Sequence, residues 1–174
     1  MNRKPTVLFV SCNGPGRSQM AAALLREAAG ELVDVRLYTE NGEGADDNAV
    51  SALAEIELGA DIDNLGTAPE REQIDLIVVI DRLACGDTTV DLNSASLPGA
   101  IAAFSGFAGS ARPVPKIGWP VEDPALVRDD EARKRAYRRA RFEISEHIEV
   151  MVGQGYLNLL LHAAGSSNNK GMKH

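Results

Sequence analysis

Residues 7–18 read Val7-Leu8-Phe9-Val10-Ser11-Cys12-Asn13-Gly14-Pro15-Gly16-Arg17-Ser18. An apolar strand leads directly into a glycine-containing loop, and the residues from Arg17 onward begin a helix. Backbone N–H groups of such a loop and of the helix N-terminus point at one spot, which favours a bound anion. Arg17 adds a planar cation that can bind two oxygens at once. The segment from Ser11 to Ser18, called the 11–18 segment below, therefore predicts an oxyanion site.

Strands and helices alternate along the rest of the chain. The predicted strands are Thr6–Val10, Val33–Tyr38, Asp75–Ile80 and Val114–Trp119, and the predicted helices are Arg17–Ala29, Asn48 (as cap) to about Leu58, Leu126 to Val152, a short one near Leu97–Phe104 and one or two turns in Tyr156–Ala164. Parallel strands need crossover connections, so this order predicts an α/β fold. We expect a single three-layer domain over residues 1–164, with a four-stranded parallel sheet and helices on both faces, and a disordered tail over 165–174.

Composition narrows the classes of partner. The 174 residues suit one domain, and a formal net charge of −7 argues against a nucleic-acid partner, because such proteins usually carry a basic face. No apolar run approaches the ~20 residues that span a bilayer, so no membrane partner is expected. Two cysteines suit a reducing compartment, which predicts a cytoplasmic protein. Asp87 and Asp91 match no ligand pattern, so no metal site is predicted.

The order of several segments resembles a known family, the low-molecular-weight protein tyrosine phosphatases and the thioredoxin- or mycothiol-coupled arsenate reductases. The family has Cys-x5-Arg-Ser directly after a Val-Leu-Phe-Val strand, and this chain has the same strand followed by Ser11-x5-Arg17-Ser18. Further similar segments are Asp47–Leu53, Ala84–Asp87, Lys116–Trp119 and Glu122–Pro124. Gly16 and residues 19–21 are more similar to the arsenate reductase branch. The resemblance covers residues 5–152.

The resemblance implies a low-molecular-weight phosphatase-like fold and a role for each matching residue. The oxyanion-binding residues would be Cys12, Asn13, Gly14, Gly16, Arg17 and Ser18. Asp123 would be the general acid that protonates the leaving oxygen. Cys85 would be the further cysteine of many arsenate reductases, or else a buried small apolar residue. Ser18 either hydrogen-bonds the nucleophile or caps the helix. The implied ligands are phosphate, arsenate or a phospho-substrate, with no cofactor; an arsenate reductase would also need thioredoxin or mycothiol, and so a thiol-redox partner.

The departure from the family lies at the nucleophile, where this chain has Ser11 and then Cys12. A helix N-terminus and an arginine can ionise a thiol, whereas a serine hydroxyl needs an adjacent base, and the segment contains none. Three interpretations stay open: Ser11 is native and the chain binds oxyanions with little thiol chemistry; Cys12 acts instead, in a loop rearranged around Gly14-Pro15-Gly16; or Ser11 replaces a cysteine by engineering. Arsenate reduction needs thiol electrons, so only Cys12 could perform it, with exchange with Cys85 if folding brings the two together.

Two hypotheses about function follow. The first is a phosphatase- or arsenate reductase-like enzyme whose candidate catalytic residues are Ser11, Cys12, Arg17, Asp123 and Cys85. The second is a catalytically reduced relative that binds an oxyanion or a protein partner. Both use the same oxyanion site, and they differ in whether a thiolate stands at its centre.

Overall fold

The computed structural model describes residues 3–11, 14–38, 44–59, 74–81, 116–153 and 157–158. Its elements are β1 (Thr6–Ser11), α1 (Gly16–Ala29), β2 (Asp34–Tyr38), α2 (Asp47–Ala54), β3 (Leu76–Ile80), β4 (Lys116–Trp119), a 3-10 turn (Pro124–Leu126) and α3 (Asp130–Gly153). The predicted helix near Leu97–Phe104, the predicted tail over 165–174 and most of the predicted Tyr156–Ala164 segment lie outside the described residues.

The four strands form one parallel sheet in the order β2-β1-β3-β4. Ser11 at the end of β1 pairs with Ile80 at the end of β3, and Ile80 pairs in turn with Trp119 at the end of β4. The carboxyl ends of these three strands therefore meet at one edge, which is where open parallel sheets bind ligands. The predicted α/β fold with a four-stranded parallel sheet is confirmed, and β2 is an edge strand, as its alternating sequence indicates.

Both faces of the central strands are buried. Side chains of one face form a core with those of α1 and α3; this core includes Val7, Phe9, Val78, Met20, Leu25, Ile144 and Ile148. Leu8, Val10 and Ile77 alternate to the other face and are buried as well. Burying each such side chain contributes about 1.5–3 kcal/mol. The continuous apolar runs of β1 and β3 are thus explained by a sheet covered on both sides.

The cap and the end of α2 differ from the prediction. Asp46, rather than Asn48, caps the helix, because its Oδ1 accepts hydrogen bonds from the N–H groups of Asn48 (2.9 Å) and Ala49 (3.1 Å). The helix ends at Ala54 instead of Leu58. Glu57 has a left-handed φ of 62°, and the Leu58 N–H bonds to the carbonyl of Leu53, so the chain turns back before Leu58.

The long C-terminal helix begins later than predicted. Leu126 belongs to the 3-10 turn, and extended backbone at Val127 (φ −76°, ψ 120°) separates that turn from α3. The carboxylate of Asp129 then accepts the N–H of Ala132 at 2.7 Å, which starts α3 at Asp130. Across the described ranges, no helix is both long enough and apolar enough to cross a membrane.

Candidate functional site

The 11–18 segment connects β1 to α1 at the edge of the sheet where open parallel sheets bind ligands. Gly14 has a φ of 81°, a left-handed conformation that favours glycine. Pro15 occupies the cap position of α1, makes no side-chain capping hydrogen bond, and is followed by a first turn without an acidic residue. The N–H groups at the start of this helix are therefore left without a capping side chain, as an anion-binding helix terminus requires.

Arg17 is the main charged group of the site. The residue is only 2% exposed, and its Nη1 donates to the carbonyl oxygen of Val121 at 2.8 Å. Its Nη2 lies 3.5 Å from Oδ2 of Asp123. Neither Nε nor Nη2 has a hydrogen-bond partner among the described residues. Buried donors without partners are costly, and the two donor nitrogens Nε and Nη2 have none among the described residues, so they are suited to an oxyanion.

Asp123 faces Arg17 from the segment that follows β4. Its Oδ1 accepts the Ala125 N–H at 3.0 Å, which fixes the carboxylate at the head of the 3-10 turn. Its Oδ2 is buried and, within the described ranges, also lacks a hydrogen-bond partner. The fold thus places the acid implied by the Asp123-Pro124 sequence beside the arginine of the 11–18 segment.

Ser11 is held by its own loop. Its Oγ lies 2.6 Å from the carbonyl oxygen of Gly14 and 3.1 Å from Oγ of Ser18, which in turn lies 2.9 Å from the carbonyl oxygen of Pro15. A carbonyl oxygen only accepts, so the short contact with Gly14 requires the Ser11 proton. In the part of the chain that is described, no carboxylate or imidazole hydrogen-bonds this hydroxyl. Ser11 is therefore arranged as a donor to the loop and not as an activated nucleophile.

Proline at position 15 explains why a carbonyl can face Ser11. The peptide between Gly14 and Pro15 has no N–H, so it supplies no donor to an anion in any orientation. Its oxygen can point inward without the loss of a donor. The segment consequently offers one N–H fewer than the same loop with another residue at position 15.

Two residues that the sequence analysis missed pack against the start of α1. They are Asp46, which caps α2, and Tyr137 of α3. The hydroxyl of Tyr137 donates to Oδ2 of Asp46 at 2.6 Å, and both side chains contact Gly16. Burial, followed by the hydrogen bond to Asp46, raises the pKa of Tyr137 well above its usual range. Asp46 could have been found as a helix cap one residue before the acidic start of α2. Tyr137 gives no such signal, because it lies in a strongly charged helix.

The predicted site residues fall into two groups. Ser11, Gly14, Gly16, Arg17, Ser18 and Asp123 lie at one end of the sheet, within the contacts described above. Ser18 is inside α1 and does not cap it, and its hydroxyl is near that of Ser11. Cys12, Asn13 and Cys85 lie outside the described residues, so the contact between Cys12 and Cys85 stays a prediction, as does the absence of a metal site.

A cavity of about 440 Å³ lies away from this site, beside the end of α1 and the start of β2. Two of its cations have partners of their own: Lys4 Nζ donates to the Gly30 carbonyl at 3.0 Å, and Arg36 Nε donates to Asp34 at 3.0 Å. The Gly30 carbonyl belongs to the negative end of the α1 dipole. The positive charge of Lys4 is therefore paired with a helix terminus, and that of Arg36 with a carboxylate of its own strand.

No protein-family model matches this sequence. Solved structures do match it. A mutant of YwlE from Bacillus subtilis is 20% identical with a TM-score of 0.61, covering 87% of this chain and 98% of that one. Arsenate reductase from Archaeoglobus fulgidus is 25% identical with a TM-score of 0.54, covering 84% and 98%. Vibrio vulnificus Wzb in complex with benzylphosphonate is 18% identical with a TM-score of 0.60, covering 87% and 99%. The chain shares the fold of these proteins. The fold that the sequence resemblance implied is therefore confirmed.

Proposed function

We propose that this protein binds a tetrahedral oxyanion, namely phosphate, arsenate or a phosphate monoester, at the 11–18 segment. The main support is the buried Arg17 side chain, whose Nε and Nη2 lack hydrogen-bond partners among the described residues. A guanidinium presents these N–H groups in a planar fork that matches two oxygens of such an ion. The uncapped N-terminus of α1 favours the same charge.

The relatives in fold support this choice of ligand. Wzb was solved with benzylphosphonate, whose phosphonate group is a tetrahedral oxyanion. Together with the order of sequence segments, the shared fold supports membership of the low-molecular-weight phosphatase and arsenate reductase family, closer to the arsenate reductase branch. A cytoplasmic location belongs to the same proposal.

Calorimetric titration with phosphate and with arsenate tests the proposal. The wild-type chain should bind both ions, and Arg17→Lys should bind them at least about tenfold more weakly, because lysine keeps the charge but loses the fork. Arg36→Lys is the control, since Arg36 pairs with Asp34 in β2, beside the C-terminal end of α1 and away from Arg17. Binding that is absent in the wild type, or equal in the wild type and Arg17→Lys, would contradict the proposal.

An enzyme that uses Cys12 is the second candidate, and the unpartnered Oδ2 of Asp123 beside Arg17 favours it. In a phosphatase, the Cys12 thiolate would attack phosphorus while the P–O bond to the leaving group breaks and Asp123 supplies that oxygen's proton; water would then hydrolyse the thiophosphate. In an arsenate reductase, Cys12 and a second thiol, either Cys85 or an external one, would supply the two electrons. Ser11 takes no part as nucleophile in either scheme.

Aryl-phosphate hydrolysis and arsenate-dependent thiol oxidation, measured on the wild type and on Cys12→Ser, separate the candidates. Oxyanion binding without either activity would leave the catalytically reduced binding protein. Activity that is lost in Cys12→Ser would support the enzyme. Activity that survives in Cys12→Ser would exclude the Cys12 mechanism.

A further inference from the structure

We propose that Asp46 and Tyr137 are positioning residues for the oxyanion site: together they hold the first residue of α1, and thereby the Arg17 side chain, in the orientation that receives the anion. This inference rests on the proposed function, because it assigns to two residues outside the 11–18 segment a role in its ligand binding. Neither residue belongs to a sequence pattern that predicts contact with the anion.

The close packing of Asp46 and Tyr137 at Gly16 is the main observation behind this positioning role. A Cβ built on Gly16 would lie 2.9 Å from Oδ2 of Asp46 and 3.1 Å from Cε1 of Tyr137. Real Cβ atoms rarely approach other atoms so closely, so the hydrogen-bonded pair packs directly on the backbone that precedes Arg17. A shift of either partner would therefore move the start of α1. A misplacement of about 1 Å at a binding group is enough to weaken an oriented interaction.

A second contact ties Asp46 to the same helix. Its backbone N–H donates to Oε1 of Gln19 at 2.9 Å, and Nε2 of Gln19 donates to the carbonyl of Gly44 at 3.1 Å. Gln19 is buried in α1 one turn after Gly16. Residues 44–46 are thus joined to α1 by Gln19 and to α3 by Tyr137. The two links make Asp46 the point where α1, α2 and α3 meet.

The chemistry of the pair explains why the phenol matters. Oδ1 of Asp46 is occupied by the two N–H groups at the start of α2, which leaves the Tyr137 hydroxyl as the partner of Oδ2. Without that hydroxyl, a carboxylate oxygen would stand unpaired against the helix start. It would reorient or draw water in, and either change disturbs the backbone beside Arg17. A phenol is protonated at neutral pH, and the raised pKa of Tyr137 keeps the hydrogen-bond donor in place well into the alkaline range.

A matched control exists at the other end of α2. Glu55 accepts hydrogen bonds from Nε of Arg138 at 2.8 and 2.9 Å, so this ion pair also joins α2 to α3. It is partly exposed and has no contact with Gly16 in the described structure. Loss of the Glu55 charge removes one tie between the same two helices and leaves the contact at Gly16 intact.

The test compares the dissociation constant for arsenate with the melting temperature in four full-length variants: Tyr137→Phe, Asp46→Asn, the double variant and Glu55→Gln. Tyr137→Phe should weaken arsenate binding by about five- to tenfold, the cost of leaving a part-buried charged acceptor unpaired. Glu55→Gln should change the affinity less than about twofold, because exposed ion pairs contribute little. The double variant should recover most of the affinity, since the Asp46→Asn change keeps the capping oxygen and removes the unpaired charge.

The outcomes separate this inference from the proposed function. Loss of arsenate affinity in Tyr137→Phe, with recovery in the double variant, supports the positioning role. If the two residues were merely structural, the affinity of each variant would follow its melting temperature alone. Arsenate binding by Tyr137→Phe within about twofold of the wild type overturns the inference and leaves the proposed function standing. An equal loss in Glu55→Gln also overturns it. A wild-type chain that binds no arsenate overturns both.

Discussion

Arg17 and Ser11 show how single residues determine what this site can do. Arg17 is buried, and two of its donor nitrogens have no partner among the described residues. The Ser11 hydroxyl, in contrast, donates its proton to the Gly14 carbonyl oxygen at 2.6 Å. A thiolate in place of that hydroxyl would face the carbonyl oxygen without a proton between them. The observed loop is therefore suited to a neutral donor at position 11, which favours oxyanion binding over nucleophilic chemistry at that residue.

Ser11→Ala should lower the free energy of unfolding by about 0.5–1.5 kcal/mol, because the Gly14 carbonyl loses its donor. Urea unfolding followed by circular dichroism measures the change. Ser145→Ala is a suitable control, since that hydroxyl bonds the Phe142 carbonyl on the exposed side of α3 and should matter less. A Ser11→Ala chain as stable as the wild type would show that the short contact contributes nothing.

At the level of secondary structure, the first residues of the helices position the groups of the candidate site. α1 has no capping hydrogen bond from a side chain, which leaves its first N–H groups for the proposed oxyanion, whereas Asp46 caps α2 and Asp129 starts α3. The sequence predicted the three α-helices of the described residues but misplaced the starts of two of them. Asp46, Asp47 and Asn48 are all good caps, and local sequence alone could not show that the Tyr137 contact holds Asp46 in place.

Gly16→Ala should lower the free energy of unfolding by about 1–3 kcal/mol, the usual cost of forcing a methyl group into a filled space. Its new Cβ would meet Asp46 and Tyr137 at about 3 Å, far closer than ordinary packing. Gly44→Ala is the control, because a Cβ there meets nothing within 4 Å and its φ is not positive. Differential scanning calorimetry of both variants checks this, and equal melting temperatures would contradict the tight contact.

His147 of α3 stacks on Trp119 at the end of β4, with ring centroids 5.2 Å apart and planes 9° from parallel. Burial lowers the pKa of His147 below its ordinary 6.5, and Glu143 and Glu146 oppose this more weakly. Since the unfolded chain takes up the proton first, the stabilisation is present above about pH 6.5 and is lost as the pH falls through the folded pKa.

We therefore expect the wild type to become less stable between about pH 7 and pH 5, and His147→Phe to show a shallower decline while keeping the stack. Urea midpoints measured across this range for both chains provide the comparison. Parallel pH profiles would mean that His147 does not contribute to the decline.

At the scale of the whole molecule, a stabilising contact and the proposed oxyanion site lie at opposite ends of the same strands. The amino ends of β1 and β3 are joined by Asp75, which accepts the Thr6 N–H at 2.9 Å and pairs with Arg3 at 2.7 Å. The proposed oxyanion site lies at the opposite ends of the same strands. Apolar runs and the strand–helix order were enough to predict this architecture. The Arg17–Asp123 contact was inferred only through a resemblance, because residues 106 positions apart meet through the fold and not through a local pattern.

Asp75→Ala should lower the free energy of unfolding by about 1–3 kcal/mol, since the buried Thr6 N–H loses its acceptor. The arsenate dissociation constant should stay within about twofold of the wild type, because sites that share no partners act independently. Thermal unfolding and calorimetric titration of the same sample measure both quantities. A large loss of affinity would show that the two ends of the sheet are coupled.

The proposed binding of an oxyanion by Arg17 is tested most directly by a crystal structure of the wild-type chain with arsenate, located by the anomalous scattering of arsenic. We expect an arsenic peak at the 11–18 segment, with arsenate oxygens about 2.7–2.9 Å from Nε and Nη2 of Arg17. A structure that leaves those two nitrogens unbound at saturating arsenate, or that places the arsenic elsewhere, would contradict it.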